Sequence, residues 1–330
     1  MRWLIALIFL PAITMADSKA VQVADIVDSH ILPGFAAFED KAAALSAAAA
    51  TSCAPEDAAL RAAYHAAYDA WVGVAHLQIG PMETTDLGFA VQFWPDPKGK
   101  TPKALRRLIA AEDASVDSAE GYAENSVAAR GVLAMERMLF DEGYREPTAY
   151  ACRLTRAIAR DLALSAAALR AGWTADHAAK MRSAANEIYP THDDALRKLY
   201  TTLMSALEFN AEARIARPLG TLQRPRPKRA EARRSGRSLR TLALSNAALA
   251  DLADRIAAAG TAESRAAIAA QFADLAIRTE ELDQPTFDGP GPWFDIDLLR
   301  QEILNTRNLI DEQLGKEIGL FVGFNARDGD

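Results

Sequence analysis

A glutamate on an apolar helix face is the residue in this sequence with the most chemistry to account for. Glu136 has Val132, Leu133, Leu139 and Phe140 as its one-turn neighbours. A carboxylate in such a stripe must be paired, hydrogen-bonded, protonated or metal-bound, because an isolated buried charge is costly. No base stands three or four positions away, so a companion has to come from another segment. Gly131 in the same stretch, at roughly 1 kcal/mol against alanine inside a helix, signals a close approach by other chain atoms. His76, among Val72, Gly73, Ile79 and Gly80, is the candidate second donor if Glu136 holds a metal. A basic run at 224–240 holds Arg224, Arg226, Lys228, Arg229, Arg233, Arg234, Arg237 and Arg240, opposed only by Glu231. Such runs are usually solvated. Ser235 and Ser238 lie where the next helix begins, and N–H groups there with arginines beside them suit an anion.

Other signatures are absent. The sequence has no HExxH, no GxSxG and no glycine-rich phosphate loop after a strand, and its five histidines are scattered. The formal net charge of −7 argues against nucleic acid as a partner. Two cysteines are too few for a disulfide scaffold or a cysteine-based metal cluster.

The elements that must position these residues are helical. Alanine-rich runs such as Ala42–Ala50 and Ala247–Ala250 favour helix and disfavour strand. Helical periodicity covers 20–50, with a break at Pro33-Gly34, and then 55–79, 102–112, 126–140, 148–172 and 192–216. After the basic stretch it covers 237–258, 262–282 and 295–322. Thr191 is the expected N-cap of the helix that follows it. Residues 82–102, and the Gly-Pro loop at 285–293, read as irregular. The expected architecture is all-α, as two antiparallel bundles: residues 17–217, a basic linker at 218–236, and residues 237–330.

Residues 1–16 read as an export signal, with Arg2, an apolar stretch too short to span a bilayer, and small residues before a cleavage point near Ala16. A periplasmic location is the expectation, with no transmembrane segment in the mature chain. In an oxidising compartment Cys53 and Cys152 are expected to be bonded.

Five separated motifs together resemble the imelysin family of exported bacterial proteins. They are His30-Ile31-Leu32-Pro33-Gly34; Ala70-Trp71 with Gly80-Pro81; Phe93-Trp94-Pro95-Asp96; Ala129-Arg130-Gly131 through Ala134-Met135-Glu136; and Glu231 with Arg234-Ser235 and Ser238-Leu239. The resemblance implies a two-bundle fold with a site between the bundles, and a link to iron uptake or heme-related functions in the envelope. It also implies a Gly-x-His-x-x-Glu signature, which here falls on Gly131, Leu133 and Glu136, so the histidine position is leucine. A catalytic zinc takes three protein ligands, and this replacement removes one.

The resulting expectation is a non-enzymatic binding protein for a small anion or a metal species, iron or zinc. Its site would comprise Glu136, Arg130, Glu231, Arg234, Ser235, Ser238 and Trp94, with Glu136 and His76 as metal donors. The rivals are a metallopeptidase using His76, Glu136 and Glu208, and a scaffold that meets an envelope protein through 224–240.

Overall fold

The computed structural model describes residues 15–322, apart from 147, 283–286 and 288–292. The expected export signal and the Gly-Pro loop therefore lie almost wholly outside the described residues. The chain order is α1 (Met15–Ile26), α2 (Leu32–Thr51), α3 (Ala58–Val74), α4 (Pro81–Thr84), α5 (Leu87–Val91) and α6 (Lys100–Ala111). Then come α7 (Ala119–Ala123), α8 (Gly131–Phe140), α9 (Ala149–Gly172), α10 (Ala178–Ser183), α11 (His192–Phe209) and α12 (Arg217–Leu219). The last four are α13 (Ser238–Ala257), α14 (Ala262–Glu281), α15 (Trp293–Leu309) and α16 (Lys316–Ile318). Among the described residues the one β-type pairing is an isolated bridge between Thr221 and Arg224, so the fold is all-α. No described helix is long and apolar enough to cross a membrane.

Local signals explain where the helices start and bend. Thr191 caps α11 in a reciprocal capping box with Asp194. The break expected at Pro33 is a π-helical turn over Val27–Ile31, immediately before the proline. It lets α1 run into α2 although Pro33 lacks an N–H. Similar π turns at Trp173–His177, Asn210–Ala216 and Ile310–Gly315 extend the helices that precede them.

The helix expected over 126–140 begins only at Gly131, which has φ +73°. A β-carbon there would fall 2.1 Å from the Val91 carbonyl oxygen. Position 131 therefore needs glycine on two grounds, the backbone angle and the crowding against α5. The stretch expected to be irregular at 82–102 contains the short helices α4 and α5, because Gly80, at φ +61°, and Pro81 nucleate a turn.

α2 lies between α3 and α9. Small residues allow the close approach: a β-carbon on Gly34 would sit 2.6 Å from Val74 Cγ1. Phe38 packs on Trp71 and Phe35 on Trp173, with ring centroids 5.2 and 5.8 Å apart. α13 lies against α3, α11, α14 and α1, so one apolar cluster continues from Val23 to Leu320.

The basic stretch departs from the expectation of full solvation. Arg224, Arg226, Lys228 and Arg229 are exposed, but Ala230, Glu231, Ala232 and Ser238 are buried and fix the following turn to the core.

Cys53 and Cys152 form a disulfide that ties the end of α2 to the first turn of α9. In the chain-entropy account, closing a loop of about 100 residues contributes about 4.7 kcal/mol. Replacing both cysteines with serine should lower the unfolding free energy by about 2–5 kcal/mol in denaturant titration. An unchanged midpoint would show that the bond adds nothing.

Candidate functional site

Glu136 projects from the middle of α8 and is 2% exposed. Its Oε1 accepts the backbone N–H of Arg234 at 3.1 Å, that of Ser235 at 3.0 Å and the Ser235 hydroxyl at 2.9 Å. Oε2 has the Arg234 Nη1 as its nearest cation, at 3.9 Å. Burial pushes the Glu136 carboxyl above its ordinary range, against the opposing pull of the Ser235 donors and the Arg234 charge. The companion that the sequence required from elsewhere is thus the turn at 234–235.

Arg234 is itself held by Asp141, which receives its Nε at 2.7 Å and Arg137 Nη1 at 2.7 Å. Burial raises the Asp141 pKa, but the hydrogen bond and charge of Arg234, aided by Arg137, outweigh it and hold the carboxyl below its usual range.

The second buried acid is Glu231, 3% exposed. It accepts Arg214 Nε at 2.7 Å and the Tyr68 hydroxyl at 2.7 Å, and also a hydrogen bond from Gln92 Nε2. Gln92 is oriented by Trp71 Nε1, 2.5 Å from its carbonyl oxygen. Arg214 also donates to Asn210 Oδ1 at 2.6 Å and Ser245 Oγ at 3.0 Å. Every strong acceptor in this network meets a donor, which is the condition for a buried pair to be tolerated. Ser238 serves the same turn, donating from Oγ to the Glu231 carbonyl oxygen at 2.6 Å.

A cavity of about 170 Å³ opens beside Glu136. Phe93, Trp94, Pro95 and Leu133 give it an apolar wall, and Trp94 is propped edge-on against Phe209 at 5.8 Å between centroids. The Trp94–Pro95 peptide is cis. Charged lining comes from Arg137, Arg217, Lys228, Arg229 and Arg234 against Asp96 and Glu136. Asp96 is occupied in capping α6, accepting N–H groups of Lys100 and Thr101 at 2.8 and 2.9 Å. Arg217, Lys228 and Arg229 are exposed and carry no ion pair among the described residues.

The structure thus brings Glu136, Arg234 and Trp94 to one cavity, with Ser235 directly behind Glu136 and Glu231 and Ser238 in the supporting turn. Arg130 is placed apart from that lining, forming a two-point pair with Asp161 at 2.8 and 2.9 Å that fixes the start of α8 to α9. His76 is not among the partners of Glu136; it bonds to His30. Glu208 is half exposed and faces Arg307 at 3.7 Å.

Sequence reading did not single out Arg214, Gln92, Asp141 or Arg217. An arginine between Ala213 and Ile215, four residues after Asn210, was the available signal for Arg214. The other three are ordinary polar residues whose role arises from distant neighbours.

A metal at Glu136 would need donors that this surface lacks. The motif position 133 is leucine and lines the cavity, and the other charged groups around it are mostly cations. Among the described residues, no group of three His, Cys, Asp or Glu side chains is arranged to hold a metal ion.

Residues 31–306 match the family model described as Imelysin. The chain superposes on an imelysin-like protein from Psychrobacter arcticum 273-4 with a TM-score of 0.80 at 19% identity, covering 96% of this chain and 100% of that one. It also superposes on a protein from Parabacteroides distasonis ATCC 8503 named as an iron-regulated protein A precursor, with a TM-score of 0.74 at 15% identity, covering 91% and 96%. At these identities the likeness is one of fold. No curated protein matches the sequence.

Two measurements check this site. Arg214→Met and Glu231→Gln should each cost about 3–5 kcal/mol, and the double variant clearly less than their sum, because each single change strands a buried partner. Additive losses in a denaturant-unfolding cycle would contradict the pairing.

For Glu136, a folded-state pKa above the unfolded value near 4.5 means its contribution is fully present below that value and declines as pH rises through the folded one. Glu136→Gln keeps the acceptor for 234–235 and does not titrate. It should remove part of the wild-type loss of stability above about pH 4.5, a slope of up to about 1.4 kcal/mol per pH unit. Identical pH–stability profiles would refute the assignment.

Proposed function

The chain belongs to the imelysin family, and from that premise we propose that it is an exported, non-enzymatic binding protein whose cavity beside Glu136 takes a small anion. The observation that carries this reading is the charge at the cavity mouth. Three exposed cations, Arg217, Lys228 and Arg229, converge without carboxylate partners on a chain whose net charge is −7. Unpaired positive charge grouped in that way attracts and orients an anion. Arginine forks in particular match the two oxygens of a carboxylate or phosphate.

Glu136 has a structural part in this arrangement. Its Oε1 is saturated by the turn at 234–235, which carries the basic stretch to the rim. Its other oxygen, Oε2, faces the Arg234 guanidinium at 3.9 Å in a lining made mostly of cations, which supports recognition of an anion over hydrolysis.

Size narrows the ligand further. About 170 Å³ is below the roughly 300–1,000 Å³ of drug-sized sites. It suits an oxyanion or a short carboxylate, free or presented at the edge of a metal chelate, rather than an enclosed heme. The iron-regulated naming of the Parabacteroides distasonis protein supports a place in envelope iron handling. The cavity lining comes from the 17–217 unit and the basic stretch 218–236, with no residue of 237–330, so the site lies against the linker rather than between the two expected bundles. We assign the location to the periplasm, which the disulfide supports.

The test is calorimetric titration of the mature chain with phosphate, citrate and ferric citrate. Saturable binding of at least one is expected, weakening with salt. Lys228→Ala with Arg229→Ala should reduce it by tenfold or more, at about 1.5–3 kcal/mol for each charged hydrogen bond lost. Absence of binding at millimolar ligand, or an unaffected double variant, would overturn the proposal.

A further inference from the structure

His30, His76 and Asp251 form a cluster outside the lining of the cavity. His30 comes from the π turn Val27–Ile31, His76 from the turn after α3, and Asp251 from α13. The imidazoles are 9% and 8% exposed, and their Nε2 atoms face each other at 2.9 Å, with ring planes inclined at 54°.

Nitrogen facing nitrogen at this distance requires one proton between the rings, donated by one and received by the lone pair of the other. A cation can take that place when His76 adopts its other neutral tautomer, its proton moving from Nε2 to Nδ1, so that two Nε2 lone pairs face the gap. The outer nitrogens favour the exchange. His30 Nδ1 lies 2.6 Å from Asp251 Oδ2, so its N–H is fixed on the far side and its Nε2 lone pair points at His76. A carboxylate behind a histidine in this way orients metal-binding imidazoles and raises their basicity. His76 Nδ1 is buried without a hydrogen-bond partner, which leaves Nε2 as that ring's single bonding direction.

We propose that His30 and His76 form a two-coordinate site for a soft monovalent cation of the copper(I) class, with Asp251 as the positioning residue for His30. The protein offers two nitrogens here, and among the described residues no third His, Cys, Asp or Glu completes a metal-binding group. That falls short of the four-ligand set of a structural zinc and of the three protein ligands of a catalytic one.

The surrounding charge points the same way. Asp251 is shared with Arg255 at 3.0 Å, Arg255 also holds Asp25 at 2.7 Å, and the positive charge of Arg214 acts on His76. One added positive charge is tolerated there better than two. With metal–nitrogen bonds of about 2.0 Å, a linear bridge sets the nitrogens about 4 Å apart, so the rings separate by roughly 1 Å. Rotation of the His30 and His76 side chains would supply that.

The experiment titrates the mature chain, purified without chelators, with silver(I) nitrate in chloride-free buffer at neutral pH; silver(I) serves as the air-stable probe. One equivalent should bind, with zinc(II) binding more weakly. His30→Gln and His76→Gln should each weaken silver(I) by more than tenfold, and Asp251→Asn, on a partly exposed side chain, by about 10- to 100-fold. The Asp251 variant keeps the test decisive if a histidine variant fails to fold. Glu136→Gln should leave silver(I) affinity unchanged, which separates this site from the cavity. Silver(I) binding retained in the Asp251 and folded histidine variants, tighter binding of zinc(II), or no uptake by the wild type would overturn the proposal.

Discussion

A carboxylate inside a helical core persists only if donors surround it, and this protein carries two whose donors tie distant segments together. Glu136 leaves α8 and is met by the backbone and hydroxyl of residues 234–235. Glu231, on the same turn, is met in the opposite direction by Arg214, Tyr68 and Gln92. The turn at 230–238 is thus pinned from both sides, by receiving one acid and supplying another. Without that double anchorage, a segment with so many cations and two prolines would have no reason to lie against the core.

The rest of the site follows from the anchorage. Fixing Ala230 to Ser238 carries Lys228 and Arg229 to the mouth of the cavity, where Arg217, at the start of α12, joins them. Asp141 keeps Arg234 beside Glu136 and also holds Arg137. The apolar wall depends on a separate contact, the close approach of Gly131 to the backbone of Val91, which docks α8 on α5 just before Phe93 and Trp94. Charge and shape are set by different segments that meet at one place, and the exposed cations remain unpaired because the neighbouring acids are already occupied.

The leucine at 133 gives the family motif a different physical sense in this chain. The glycine of the motif is kept for the packing of α8, and the glutamate is kept to hold a turn, so both have structural duties that need no metal. Histidine side chains are instead gathered elsewhere, where the π turn Val27–Ile31, the turn after α3 and α13 bring His30, His76 and Asp251 into one chain of contacts.

Much of the fold was legible from residues alone, because helix formation is local. Alanine runs, the 3.6-residue apolar period and the Thr191 cap mark α2, α3, α9, α11, α13 and α14 closely. The sequence also determined that Glu136 must find a companion, since its own helix offers none, and that something approaches Gly131. It could not name Arg214 as the partner of Glu231, separate Arg130 from the cavity, or place His30 against His76. Those pairings join positions 17, 31 and 46 residues apart, beyond the reach of a helical period. Periodicity assigns a side chain to a face, whereas only the packing of one helix on another decides which buried charge meets which donor.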